Sequence, residues 1–210
     1  MTINAAMSAD GKIATADRRQ TRLSGEADIA RMHRLRASHD AVLVGIGTIL
    51  ADDPKLTVKW EVAGLPAGEQ PLRVVLDSRG RTPDTAAVLA PLGRTLICTN
   101  EACVRAWKAA EVFRRGTDRV DVKGVLEDLS RRGVRSLLVE GGSEVIWSFL
   151  HGGFADELKV YVGSVVLGGA QAPTLAGGDG VRELEEAVKL RLEGVSTVDG
   201  GVLLEYRVVP

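Results

Sequence analysis

Only two cysteines, Cys98 and Cys103, occur in the 210 residues. That is too few for a disulfide framework, and their C-x4-C spacing has neither a partner pair nor a nearby histidine to make a zinc site. Cys98 lies in the apolar run TLICT and reads as a buried, inert thiol suited to a reducing cytoplasm. The three histidines, His33, His39 and His151, lack metal-ligand spacing and read as structural, so no metal is expected. Charge of one sign is also missing. With 27 basic and 28 acidic residues there is no bulk electrostatic case for nucleic acid or a membrane surface. No stretch approaches the roughly 20 apolar residues of a membrane-spanning helix. The opening MTINAAMSADGK has no basic n-region or long apolar h-region, so no signal peptide is expected. Internal repeats and low-complexity tracts are absent.

What is present is a 45% hydrophobic chain in which short apolar runs alternate with helical patterns, as expected of one α/β domain over 1–210. Strands are predicted at Thr2–Met7, Ala41–Val44, Leu72–Leu76, Thr95–Cys98, Glu111–Phe113 and Ser136–Val139. Helices are predicted over Glu26–Ala37 with Ser24 as N-cap, over Glu101–Ala110, near Val122–Arg132, and from the Gly141-Gly142 pair to Leu150. This alternation argues for a largely parallel sheet covered on both faces. Glu61–Gln70 reads as a surface loop. In the last third, Glu157–Val162 and Val165–Leu167 read as strands. Val188–Val198 and Val202–Val209 alternate about Asp199-Gly200-Gly201, a hairpin signal. The resulting antiparallel edge needs covering, and a homodimer is expected.

Four constellations carry chemistry. Gly45-Ile46-Gly47-Thr48 follows a strand but has Leu50 where the dinucleotide fingerprint needs its third glycine, so a tight turn explains it as well as a cofactor does. Thr48 adds a hydroxyl there. Glu140-Gly141-Gly142-Ser143 ends a strand and opens a helix, exposing orphan N–H groups to a phosphate; Glu140 must then point elsewhere or complement the helix dipole. Ser78, Arg79 and Arg81 follow another strand, and cations there suit the 2′-phosphate of NADP better than the hydroxyls of NAD. Solvated loop arginines are the alternative. Asp52 and Asp53 either form an Asx-type turn or repel one another, raising one pKa to that of a proton donor. Lys12, Arg36 and Lys59 are either surface charges or partners of an anionic substrate.

Five ordered blocks carry a resemblance across nearly the whole chain: MSADGKIAT, HRLRASHDAVLVGIGTILADDPKLTV, PLRVVLDSRGR, SLLVEGGSEVIWSFL and DELKVYVGSVVLGGAQAPTL. Together they resemble the pyrimidine reductases of riboflavin biosynthesis, which have a dihydrofolate-reductase-like fold, and most closely the stand-alone archaeal and fungal type. The resemblance implies NADPH-dependent reduction of a ribosylamino-pyrimidine phosphate, in its 2,5-diamino form, to the ribitylamino compound. NADH is the alternative cofactor, and only the two arginines favour NADPH over it. Gly47, Thr48 and Asp52 are then expected beside the cofactor, Ser78, Arg79 and Arg81 near its adenosine phosphate, and Gly141, Gly142, Ser143 and Glu144 at its pyrophosphate. Asn4, Ser24, Arg36 and Lys59 match substrate positions, the last three around the ribose phosphate. Lys12, Asp52 and Glu140 match polar positions near the reacting sugar and pyrimidine. Lys59 stands where the bacterial pattern has arginine, replacing a bidentate fork with a point charge. The H-x-E and P-C-x-x-C signatures of the fused bacterial zinc deaminase are absent, which implies reduction without deamination. A different pterin or pyrimidine reductase and a catalytically silent nucleotide sensor are the competing readings; a folate substrate has no sugar phosphate for Ser24, Arg36 and Lys59 to meet.

Overall fold

The computed structural model describes residues 1–18 and 22–209. The chain divides into two compact units, Met1–Met32 with Val139–Pro210, and His33–Leu138. The His33–Leu138 unit holds four parallel strands, β2 (Ala41–Gly45), β3 (Leu72–Leu76), β4 (Thr95–Thr99) and β5 (Glu111–Arg114), in spatial order β5-β4-β3-β2. Every residue of β2 and β4 is buried, the pattern of parallel strands covered on both faces. Val42, Val44 and Ile97 of these strands join Ile46, Ile49, Leu56, Val88, Leu89 and Trp107 in one apolar cluster. Helices α2 (Ile46–Asp52), α3 (Trp60–Ala63) and α4 (Val122–Arg131) complete this unit. α4 turns Val125 and Leu129 inward, while its buried Asp128 is paired with Arg132.

The other unit pairs β1 (Thr2–Ser8) in parallel with β7 (Glu157–Gly163), and β7 antiparallel with β9 (Gly201–Val209), which pairs in turn with β8 (Lys189–Val198). Strand β6 (Leu137–Gly141) lies beside β1 and leads into α5 (Ser143–His151). Helix α1 (Glu26–Ala37) keeps its expected bounds. The mostly parallel strands with a C-terminal antiparallel hairpin are those expected. Asp199 and Gly200 form its two-residue turn with φ of 50° and 76°, the left-handed pair that matches strand twist in a type I′ hairpin. A bulge at Glu193 interrupts β8.

Four local expectations are corrected. Residues 101–110 form turns instead of a helix, because side chains claim the backbone groups a helix needs. Asn100 Oδ1 accepts from Cys103 N at 3.0 Å, and Cys103 O accepts from Arg114 Nε at 2.7 Å. Burying Trp107, whose Nε1 donates to Thr82 O, fixes the rest. Val165–Leu167 is not a strand, since the N–H groups of Leu167 and Gly168 donate to the Asp10 carboxylate at 3.0 and 2.7 Å. The loop expected over Glu61–Gln70 begins inside α3, which Gly64 ends at φ 67°. Ser24 does not cap α1: the Asp199 carboxylate accepts from Asp28 N at 2.9 Å. Gly25 makes room for it, as a Cβ there would lie 2.5 Å from the Asp199 side chain. Both cysteines are unpaired and buried, and burial pushes the Cys98 thiol up to about 12.

Candidate active site

Within the His33–Leu138 unit, β2 runs directly into α2. Gly45 has extended backbone (φ −82°) and Gly47 is helical, so neither glycine is there for a left-handed turn, and the tight-turn reading is corrected. A Cβ on Gly47 would meet nothing within 4 Å, so that exposed first turn keeps open space beside half-buried Thr48. At the other end of α2 the two carboxylates part company. Asp53 is left-handed (φ 41°), its N–H donates to Ile49 O, and its Oδ1 accepts from Ala87 N at 2.7 Å. Asp52 is half-buried, and its carboxyl makes no hydrogen bond among the described residues. Its pKa is raised, as expected for one member of the pair, but the cause is desolvation and not repulsion by its neighbour.

The segment after Asp53 is strained and tightly held. Leu56 is 2% exposed with φ 53°, a conformation that costs a bulky residue free energy and persists only where surroundings impose it. Arg36 donates to Thr57 O at 2.9 Å, and Gln70 brackets Val58 with two bonds to its N–H and C=O. Lys59 is exposed, and its N–H donates to Nδ1 of buried His33 at 3.2 Å. Arg36 and Lys59 therefore share one braced segment.

At the end of β3 the turn Asp77–Thr82 carries the second cationic pair. Ser78 Oγ accepts from Val120 N at 3.0 Å, which leaves its hydroxyl proton available. Arg79 and Arg81 are exposed. Asp77 is fully buried and bonds both the N–H and the hydroxyl of Thr82.

In the other unit, the SADGK turn is closed by Ser8 N donating to Lys12 O at 2.8 Å and Lys12 N donating to Ser8 Oγ at 2.9 Å. Lys12 forms a bridge with Thr174, and its Nζ lies 3.4 Å from Ala172 O. Asp10 ties this turn to the glycine-rich segment through Leu167 and Gly168. The hydrogen bonds from Ser8 and from those two amides lower its pKa to about 2. Because the folded value lies below the unfolded one (about 3.9), this contribution to stability is present above pH ~4 and lost as pH falls through ~2. Asp10→Asn is expected to lower Tm at pH 6, with the gap to the parent closing on acidification; thermal melts between pH 6 and 2 read it.

Asn4 on β1 is 7% exposed, and its Oδ1 accepts from Arg31 at 2.8 Å. Arginine only donates, so the Asn4 amide is held with its NH2 as the remaining donor. Ser24 is half-buried ahead of α1. Glu140 is half-buried near the end of β6, Gly141 has φ 154°, and Gly142 (φ 84°, ψ 116°) stands at the N-cap of α5. No side chain caps α5, so its first N–H groups and the positive end of its dipole suit an anion. Ser143 opens the helix, its carbonyl accepting from Gly177 N at 3.0 Å, while Glu144 is exposed in the first turn. The roles of Arg31 on Asn4, of Asp77 on Thr82 and of Asp199 at the start of α1 are not read from the sequence: Asp199 is marked there only as a hairpin turn, and the partners of Arg31 and Asp199 lie far along the chain. Among the described residues no group of three His, Cys, Asp or Glu side chains could hold a metal, and no helix is long and apolar enough to cross a membrane.

Comparison with known proteins shows the family. The chain is 43% identical over 211 residues to 2,5-diamino-6-ribosylamino-4(3H)-pyrimidinone 5′-phosphate reductase of Methanothermobacter thermautotrophicus, covering 98% of this chain and 96% of that one. A deaminase/5-amino-6-(5-phosphoribosylamino)uracil reductase of Thermotoga maritima superposes with TM-score 0.82 at 27% identity; it covers 99% of this chain, which spans 56% of it. Dihydrofolate reductase of Enterococcus faecalis, at 12% identity and TM-score 0.52 over the whole chain, shares the fold. RibD C-terminal domains match residues 1–204, and the chain belongs to that family.

Proposed function

We propose that residues 1–210 act as one reductase domain of riboflavin biosynthesis, converting 2,5-diamino-6-(5-phosphoribosylamino)pyrimidin-4(3H)-one to its ribitylamino form. The observation that carries the reading is the near end-to-end similarity to a reductase named for that diamino substrate. NADPH, when bound, supplies the hydride that the substrate's C1′ accepts. Each unit carries groups suited to part of such a cofactor: in one, Gly141, Gly142, Ser143 and Glu144 at the uncapped start of α5 would hold a pyrophosphate; in the other, Ser78, Arg79 and Arg81 would suit an adenosine phosphate, and Gly47 and Thr48 would line the nucleotide.

Substrate chemistry assigns the other residues. The furanose must open before C1′ can accept hydride, and opening needs a proton on the ring oxygen. Asp52, whose half-buried carboxyl keeps its proton to higher pH than usual, is the donor in this reading, directly or through water, and Lys12 assists. A positioned acid of this kind contributes about 10²–10⁴-fold. The NH2 of Asn4 and the carboxylate of Glu140 would orient the pyrimidine. Ser24, Arg36 and Lys59 would meet the ribose phosphate. β8 leaves Leu190, Leu192 and Val195 41%, 53% and 61% exposed, and covering that edge with a second copy supports a homodimer. Two unpaired buried thiols fit a cytoplasmic setting. Following NADPH absorbance with the diamino and the deaminated ribosylamino-pyrimidine phosphates side by side tests the reading. Oxidation with the diamino compound is expected; oxidation with the deaminated compound alone would reverse the order of reduction and deamination, and none with either would remove the reaction.

A further inference from the structure

Asp77 stands out because it is a fully buried carboxylate that the proposed chemistry leaves unused. It lies at the end of β3 with Oδ2 accepting from Thr82 N at 2.7 Å and Thr82 Oγ1 at 2.8 Å, and its own carbonyl accepts from Gly80 N at 3.1 Å. Oδ1 has no hydrogen-bond partner and sits 3.9 Å from Arg81 Nε. A carboxylate at a strand end is otherwise a ligand for the ribose hydroxyls of NAD. At 0% exposure Asp77 cannot reach a ribose, so its charge is directed into its own turn.

That turn is braced from several sides. Arg105 donates to Gly80 O at 2.8 Å, Trp107 to Thr82 O at 2.9 Å and Asn100 N to Ser78 O at 3.1 Å. Gly80 is left-handed (φ 67°), and a Cβ on it would lie 2.7 Å from Cys103 Sγ. The main chain of the turn therefore has support that does not depend on Asp77. What Asp77 alone supplies is the closure onto Thr82 and an anchor for the inner edge of Arg81. The guanidinium is 54% exposed, so its remaining donors are open to solvent. Arg79 is exposed with no ion pair among the described residues.

We propose that Asp77 is a positioning residue for coenzyme selection: by closing the turn on Thr82 and anchoring Arg81, it sets the two guanidinium groups to receive a phosphomonoester on the adenosine ribose. The inference rests on the reading of this turn as the adenosine-phosphate site. Bidentate recognition by arginine depends on geometry, so loosening the anchor penalises the phosphate and spares the rest of the nucleotide.

The test uses fragments rather than turnover. Calorimetric titration of the full chain with 2′,5′-ADP and with 5′-AMP separates the 2′-phosphate from the remaining contacts. Asp77→Ala is expected to weaken 2′,5′-ADP about tenfold, the scale of one charge-assisted hydrogen bond, with little change for 5′-AMP. Asp77→Asn, which still accepts from Thr82 but offers Arg81 no charge, is expected to recover only the share of affinity owed to closure of the turn. Should the alanine variant not fold, Thr82→Val loses one of the two closing bonds and is expected to show the same selectivity at smaller size. Parallel weakening of both fragments would reduce Asp77 to a structural role and overturn the inference. Arg81→Ala separates the two layers: if it leaves 2′,5′-ADP binding unchanged, the reading of the turn fails. If it weakens that fragment while Asp77→Ala and Thr82→Val do not, the site stands and the role of Asp77 falls.

Discussion

Asp52→Asn is expected to lower kcat by about 10²–10⁴-fold, the contribution of a positioned general acid, while NADPH affinity stays nearly unchanged. The side chain is close in size, so the variant removes the proton and little else. The pH profile gives an independent readout. An acid must be protonated to act, and desolvation raises the pKa of this one, so parental kcat/KM should be level at low pH and fall as pH rises through that raised value. The variant should lose this limb. Stability follows pH in the same direction. Folded Asp52 holds its proton more tightly than unfolded Asp52, so its contribution is fully present below the unfolded pKa of about 3.9 and is lost as pH rises through the folded one. At pH 7 the asparagine variant, with no charge to desolvate, should melt above the parent, and the gap should close on acidification. A large loss of NADPH binding with intact chemistry would instead make Asp52 a cofactor contact.

Gly142→Ala is expected to weaken NADPH at least tenfold. Gly142 holds φ 84° and ψ 116° at the cap of α5, a region L-residues avoid at a cost of about 1–3 kcal/mol. In the proposed site, relaxing that strain would turn the first N–H groups of the helix away from a pyrophosphate, and a Cβ kept in place would stand beside it. Both effects fall on binding, so KM for NADPH should rise more than kcat falls, and direct titration should show the same loss. Gly47→Ala is the contrast: helical backbone with open space around its Cβ predicts no folding penalty, so any loss of NADPH affinity there reports contact with the cofactor itself.

The parts of this structure that were legible in sequence are those whose cause is local. Fully buried runs such as AVLVG and TLICT read directly as parallel strands, and the Asp199-Gly200 dipeptide marked the hairpin because only a left-handed pair closes it. The misplaced elements share a different cause. A helix over 101–110 was lost to bonds from Asn100 and Arg114 and to the burial of Trp107. The 165–167 segment was claimed by Asp10, 157 residues away from Leu167. The same holds at the candidate site. The Asp52-Asp53 pair announced a perturbed carboxylate, but which one, and why, depended on Asp53 bonding Ala87, 34 residues on, and on burial of Asp52. The cap of α1 comes from Asp199, 171 residues beyond Asp28, where no pattern of neighbours points.

In the proposed reaction, hydride from the nicotinamide ends on C1′ of a ring-opened ribosylamine. NADPH deuterated at the transferred C4 position, incubated with the protein and the diamino ribosylamino-pyrimidine phosphate, tests it by NMR of the product. One deuterium on the C1′ methylene of a ribitylamino chain is the predicted result. Deuterium on the pyrimidine ring, or a reduced product whose C1′ carries none, would contradict the account.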